Sequence, residues 1–200
     1  MTKIFAGLFF FILSFSINIG GLNICLTPPF IGWILIASGL GDLALSIPMM
    51  RHAVSAARVL AVYDLFLFVI NSLWAGQFFS DVHAWFVTAG EVCGIYVFYV
   101  IAEGLTWYEQ ERQVSLDAAA LRRWWKTLAV WNIPSALFLS FADRLWPAQQ
   151  MPEEMQWIYL VICMAPILIY GLCTAIVYIG YLCAFSNTRR LYRTLDAARQ

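Results

Sequence analysis

Six runs of apolar residues, each near the length one helix needs to cross a bilayer, constrain this chain more than anything else in it. A crossing helix takes about 20 residues at 1.5 Å rise each. Inside hydrocarbon the backbone has no water to bond, so a helix must satisfy its own N–H and C=O groups. The runs cover residues 4–26, 30–49, 59–79, 85–105, 127–146 and 155–185. Composition agrees: 62% of residues are hydrophobic and 12% are charged, against about 25% charged in soluble domains. The expected fold class is therefore all-α, a polytopic membrane helical bundle of six transmembrane helices forming one domain over residues 1–200. Twelve basic residues against twelve acidic ones leave no basic excess, so a nucleic-acid partner is excluded.

Orientation follows from where the cations fall. With the N-terminus inside, the cytosolic side collects Lys3, Arg51, Arg58, Arg112, Arg122, Arg123, Lys126, Arg189, Arg190, Arg193 and Arg199. Arg144 falls on the other side, so eleven of the twelve basic residues sort to one face and both termini are expected inside. Lys3 ahead of an apolar stretch, with Ser14 and Ser16, also fits a cleaved signal peptide. Apolar character continuing through Ile17, Ile19, Leu22 and Ile24 favours a retained first helix. The last run exceeds what the hydrocarbon requires and is expected to tilt or protrude.

Two cytosolic segments stand out. Residues 107–126 read as an interfacial linker helix, with Ser115 as its N-cap and Asp117 in its first turn. Within it Arg122, Arg123, Trp124, Trp125 and Lys126 set cations beside indoles, a composition suited to the headgroup layer and to an anionic lipid. Residues 187–200 form a basic cytosolic tail.

Polar residues at membrane depth are costly and carry the functional expectations. Ser38, Asp42 and Ser46 form one stripe of the second run. Counting from the run ends puts Asp42 about 10 Å and Asp64 about 7.5 Å from the inner boundary. At that depth they either pair with Lys3, Arg51 and Arg58 or form a proton-sharing dyad. Glu91 falls about 9 Å from the outer boundary with no cation at its level. With Asn18, Asn71 and Tyr99 it defines a possible polar cavity for a proton or cation; the competing role is hydrogen bonding between helices. Gly90-x-x-x-Gly94 and Ala37-x-x-x-Gly41 read as packing seams.

No cofactor and no metal site is expected. Cys25, Cys93, Cys163, Cys173 and Cys183 contain no C-x-x-C pair, and His52 and His83 fall on opposite sides of the membrane. Hydrolase and P-loop motifs are missing from the sequence.

Gly39-Leu40-Gly41-Asp42 and Tyr63-Asp64 resemble the G-x-G-D and Y-D motifs of intramembrane aspartyl proteases. That resemblance implies catalytic roles for Asp42 and Asp64. The order of the two motifs is reversed here, and the nearest counterpart of the Pro-Ala-Leu element is Pro134-Ser135-Ala136-Leu137. A hydrolase is accordingly the alternative reading. The leading one is a non-enzymatic bundle that transports, senses or scaffolds.

The first hairpin carries a second resemblance. Ile17-Asn18-Ile19-Gly20, then Pro28-Pro29-Phe30-Ile31-Gly32-Trp33-Ile34-Leu35-Ile36 and Gly39-Leu40, is similar to a group of small integral membrane proteins found mainly in Gram-positive bacteria. Their hallmark is I-N-x-G, then P-D-F-I-G-Y-I-L-I and a G-L pair. Pro29 stands where that pattern has Asp, and Trp33 where it has Tyr. The likeness covers roughly the first quarter of the chain. It implies a bacterial cytoplasmic membrane and no enzymatic activity. Read physically, the motif is a tight extracytoplasmic turn with an interfacial aromatic.

Overall fold

The structure is a computed structural model that describes residues 1–12, 16–19, 22–25, 28–74, 80–145 and 153–197. These form six helices and one hairpin: α1 (Thr2–Ile12), β1 (Ser16–Ile19), β2 (Leu22–Cys25), α2 (Pro29–Ala44), α3 (Met50–Trp74), α4 (Ser80–Arg112), α5 (Ala118–Leu145) and α6 (Glu153–Ala197). Among the described residues, three stretches are long and apolar enough to cross a membrane: Met50–Ile70, Thr88–Arg112 and Ile169–Leu195. The chain thus has the make-up of a membrane protein. Pro29–Ala44 is a shorter apolar helix.

The first apolar run departs from the single crossing helix expected over residues 4–26. α1 has 11 residues, about 16 Å, which is half a crossing. The chain then pairs Ser16 with Cys25, Ile17 with Ile24, Asn18 with Asn23 and Ile19 with Leu22, antiparallel. The residues explain it. Ile17, Ile19 and Ile24 are stiff at χ1 and suit a strand. Between the paired Ile19 and Leu22 the sequence is Gly-Gly, a combination favoured by two-residue hairpin turns.

Other boundaries also shift. α3 begins nine residues before the apolar run at 59, so Arg51, His52 and Arg58 are helical. The expected linker helix over 107–126 is instead the end of α4 and the start of α5, separated by a tight break. Gln113 and Asp117 there have φ of 52° and 58°, and the Glu109 carboxylate accepts the Leu116 N–H at 2.9 Å. Ser115 lies in that break, three residues before the first helical residue Ala118, so it is not the N-cap. α6 runs 45 residues, about 67 Å, and absorbs the basic tail as far as Ala197.

Each helix packs on the next in sequence, and α6 returns to α1, so the helices close into a ring. α2, α4 and α6 also meet inside it. Trp33 stacks on Phe98 at 5.9 Å and Phe98 meets Tyr181 at 5.4 Å, one aromatic from each helix. The Tyr181 hydroxyl donates to the Phe98 carbonyl at 3.2 Å. Lipid is as apolar as leucine, so such bundles are held by close packing and interhelical hydrogen bonds. The α1–α2 contact shows this: a Cβ on Gly39 would stand 2.9 Å from the Ile4 backbone nitrogen. Gly41, in contrast, faces nothing within 4 Å and is not part of the expected seam.

Candidate functional site

Asp64 occupies the middle of α3, fourteen residues from Met50 and ten from Trp74. That places it about 15 Å from the Trp74 end of its helix. Gly90 lies at the same level of α4, ten residues after Ser80, and a Cβ there would come 4.0 Å from Asp64 Oδ1 and 3.1 Å from the Tyr63 ring. The Trp33 indole N–H donates to Asp64 Oδ2 at 2.9 Å. Tyr63, next along α3, donates its hydroxyl to the Phe86 carbonyl of α4 at 2.6 Å. Three helices therefore converge on one half-buried carboxylate, which approaches α4 at a residue without a side chain. Among the described residues no lysine or arginine pairs with it.

Trp33 corrects an expectation. It is 2% exposed and lies at the centre of the ring, so it is not an interfacial aromatic. Its ring packs over Gly94, where a Cβ would stand 3.1 Å away; Gly90 and Gly94 thus form the expected seam, taken up by Tyr63 and Trp33.

Asp42 is placed elsewhere. It is near the end of α2, nine residues or about 13 Å further along the helix than the Asp64 partner Trp33. There it forms an exposed ion pair with Lys3 of α1 at 2.9 Å. The structure does not bring Asp42 and Asp64 together, and each carboxylate has a different partner. The equal depths read from the apolar runs fail because the α2 residue level with Asp64 is its partner Trp33, nine residues before Asp42.

Glu91 follows Gly90 but points to a different face of α4. Glu91, Ile95 and Tyr99 share the i, i+4, i+8 face. That face meets α5, where Trp125 donates to the Ile95 carbonyl at 3.0 Å and packs tilted against Tyr99 at 4.8 Å. Asp64 and Glu91 thus flank α4 at one level. The side chains of Asn18 and Asn71 lie outside the described residues, although their backbones belong to β1 and α3.

At the end of the bundle that holds Thr2 and Arg193, several charged side chains are engaged. Glu103 pairs with Arg122 at 2.7 Å, Arg193 donates to Thr2 Oγ1 at 2.6 Å, Arg189 covers the Phe5 ring at 4.3 Å, and Asn187 donates to Asp117 at 3.2 Å. Thr2 and Arg193 belong to the first and last helices, so both ends of the described chain lie on one face. Three members of the expected anionic-lipid cluster are engaged within the bundle: Arg122 by Glu103, Trp125 by α4, and Trp124 against Gly180 of α6. Arg123 and Lys126 are exposed.

Sequence reasoning missed Trp33 as part of the Asp64 site and joined Tyr63 to Asp64 only through the Y-D resemblance. The available signal was that each carries a hydrogen-bond donor within an otherwise apolar run. No family model, curated protein or solved structure matches this chain.

Proposed function

We propose that this chain is a non-enzymatic, multi-pass bundle of the bacterial cytoplasmic membrane, and that proton or cation occupancy of Asp64 drives transport or sensing. One observation carries the reading: a mid-helix carboxylate held by three helices, with an indole N–H and no cation among the described residues. Ionisable groups inside a membrane are rare and mark ion or proton pathways. Asp42 and Glu103, in contrast, take ion pairs. Glu91 and Tyr99, on the α5-facing side of α4, supply a second polar face for the same path, with Asn18 and Asn71 as further members.

Six crossings with both ends in the cytosol remain our topology. It is supported by the sorting of the cations and by the Thr2–Arg193 contact. The bacterial placement rests on the first-hairpin resemblance. Arg123 and Lys126, free of the contacts that hold Arg122, Trp124 and Trp125, would face anionic headgroups. The hydrolase alternative requires the two aspartates to meet, and the Lys3 and Trp33 pairings hold them apart.

The test is flux in proteoliposomes under an imposed potential, read by an internal pH dye and by sodium uptake. Wild type should carry proton or sodium flux. Asp64→Asn should cut it at least tenfold and Glu91→Gln should alter it, with Asp42→Asn indistinguishable from wild type. Equal flux in Asp64→Asn, or none in any form, contradicts the reading.

A further inference from the structure

Arg58 stands where the apolar part of α3 begins, and no carboxylate pairs with it among the described residues. Two open furrows start at its side chain. One, of about 490 Å³, runs between α2 and α3 along Ile34, Ala37, Ala61 and Leu65. The other, of about 530 Å³, runs over the outer face of α3 along Val59, Tyr63 and Phe66. Val62 borders both and is 68% exposed, so it forms a ridge between them, one turn above Arg58. Phe30, which also lines the first furrow, meets Phe68 edge-on at 5.6 Å near its far end. From Arg58 to Phe68 is ten residues, about 15 Å, equal to the depth of one leaflet of a hydrocarbon core about 30 Å thick. Each furrow has the volume of an ordinary ligand site, about 300–1,000 Å³.

We propose that this face binds one diacyl glycerophospholipid of the inner leaflet. Its phosphate sits on Arg58 and its acyl chains lie on either side of the Val62 ridge. Charge complementarity selects this occupant. A guanidinium is matched to phosphate by its fork of donors, and a lone cation at the junction of two apolar furrows fits an anion carrying two chains. A second copy of the chain would have to offer a carboxylate in the same place. The site is separate from Arg123 and Lys126, and it rests on the membrane reading because it needs α3 to lie in lipid.

The experiment is native mass spectrometry of the full chain in a maltoside detergent, titrated with dioleoylphosphatidylglycerol, its single-chain lyso form, and dioleoylglycerol. Wild type should retain one dioleoylphosphatidylglycerol, bind the lyso form at least tenfold more weakly, and retain no dioleoylglycerol. Arg58→Gln should lower retention at least tenfold, Arg58→Lys should fall between the two because it keeps the charge and loses the fork, and Arg123→Gln with Lys126→Gln should match wild type. Melting curves of the Arg58 variants should overlay wild type, since the side chain is exposed. Retention unchanged in Arg58→Gln, equal retention of dioleoylglycerol, or a concentration-dependent dimer in place of the lipid overturns the site and leaves the membrane reading intact. A wild type that retains no phospholipid and stays monodisperse without detergent overturns both.

Discussion

At the scale of single residues, the two aspartates of this chain show what a partner does to a carboxylate in a membrane bundle. Asp42 sits at a helix end beside Lys3, with both side chains more than half exposed, so solvent screens the pair and little stability depends on it. Asp64 has an indole N–H instead, inside the ring. Removing that donor leaves a shielded carboxylate with one hydrogen bond fewer, a loss of about 1–2 kcal/mol. Trp33→Phe keeps the stacking on Phe98 but not the donor. It should lower the melting temperature in detergent by about 3–8 °C, while Lys3→Ala leaves it unchanged. Equal shifts in the two variants would show that the Trp33–Asp64 bond is not what distinguishes the carboxylates. The sequence made Asp64 visible as a polar residue in an apolar run. It did not reveal the partner, because Trp33 and Asp64 lie on different helices and meet only through the register between α2 and α3.

At the scale of elements, backbones approach closely where side chains are missing. Gly39 lies against the α1 backbone at Ile4, whereas Gly41, two residues on, faces open space. Gly39→Ala should push α1 off α2 and cost about 1–3 kcal/mol. Gly41→Ala should raise stability by about 0.5–1 kcal/mol through helix propensity alone. Thermal or denaturant unfolding in detergent checks both signs, and a neutral Gly39→Ala would contradict the packing. Much of the helical layout was legible in the sequence, since apolar runs and proline turns mark α2 through α6. The ends were not. Arg51, His52, Ser55 and Arg58 interrupt the apolar pattern at the start of α3, yet Ala53, Val54 and Ala57 between them are buried, so the helix extends back to Met50. In the first run, length suggested a crossing helix although β-branched isoleucines and a Gly-Gly pair already spelled a hairpin.

At the scale of the whole molecule, six helices close into a ring, one end of which is tied by ion pairs and whose centre is filled by Trp33, Phe98 and Tyr181. The ring presents Asp64 on one side of α4 and Glu91 on the side that meets α5, at one depth. The most direct test of this arrangement is mass-spectrometric mapping of carboxyl groups in native vesicles treated with dicyclohexylcarbodiimide, a lipid-soluble reagent that attacks protonated carboxyls. Asp64 should be labelled, protected by sodium or by alkaline pH, with Asp42 unlabelled and a water-soluble carbodiimide ineffective at Asp64. Labelling at Asp42 with Asp64 silent, or equal access of the water-soluble reagent to both, would contradict a membrane-embedded, exchangeable carboxylate at the heart of this bundle.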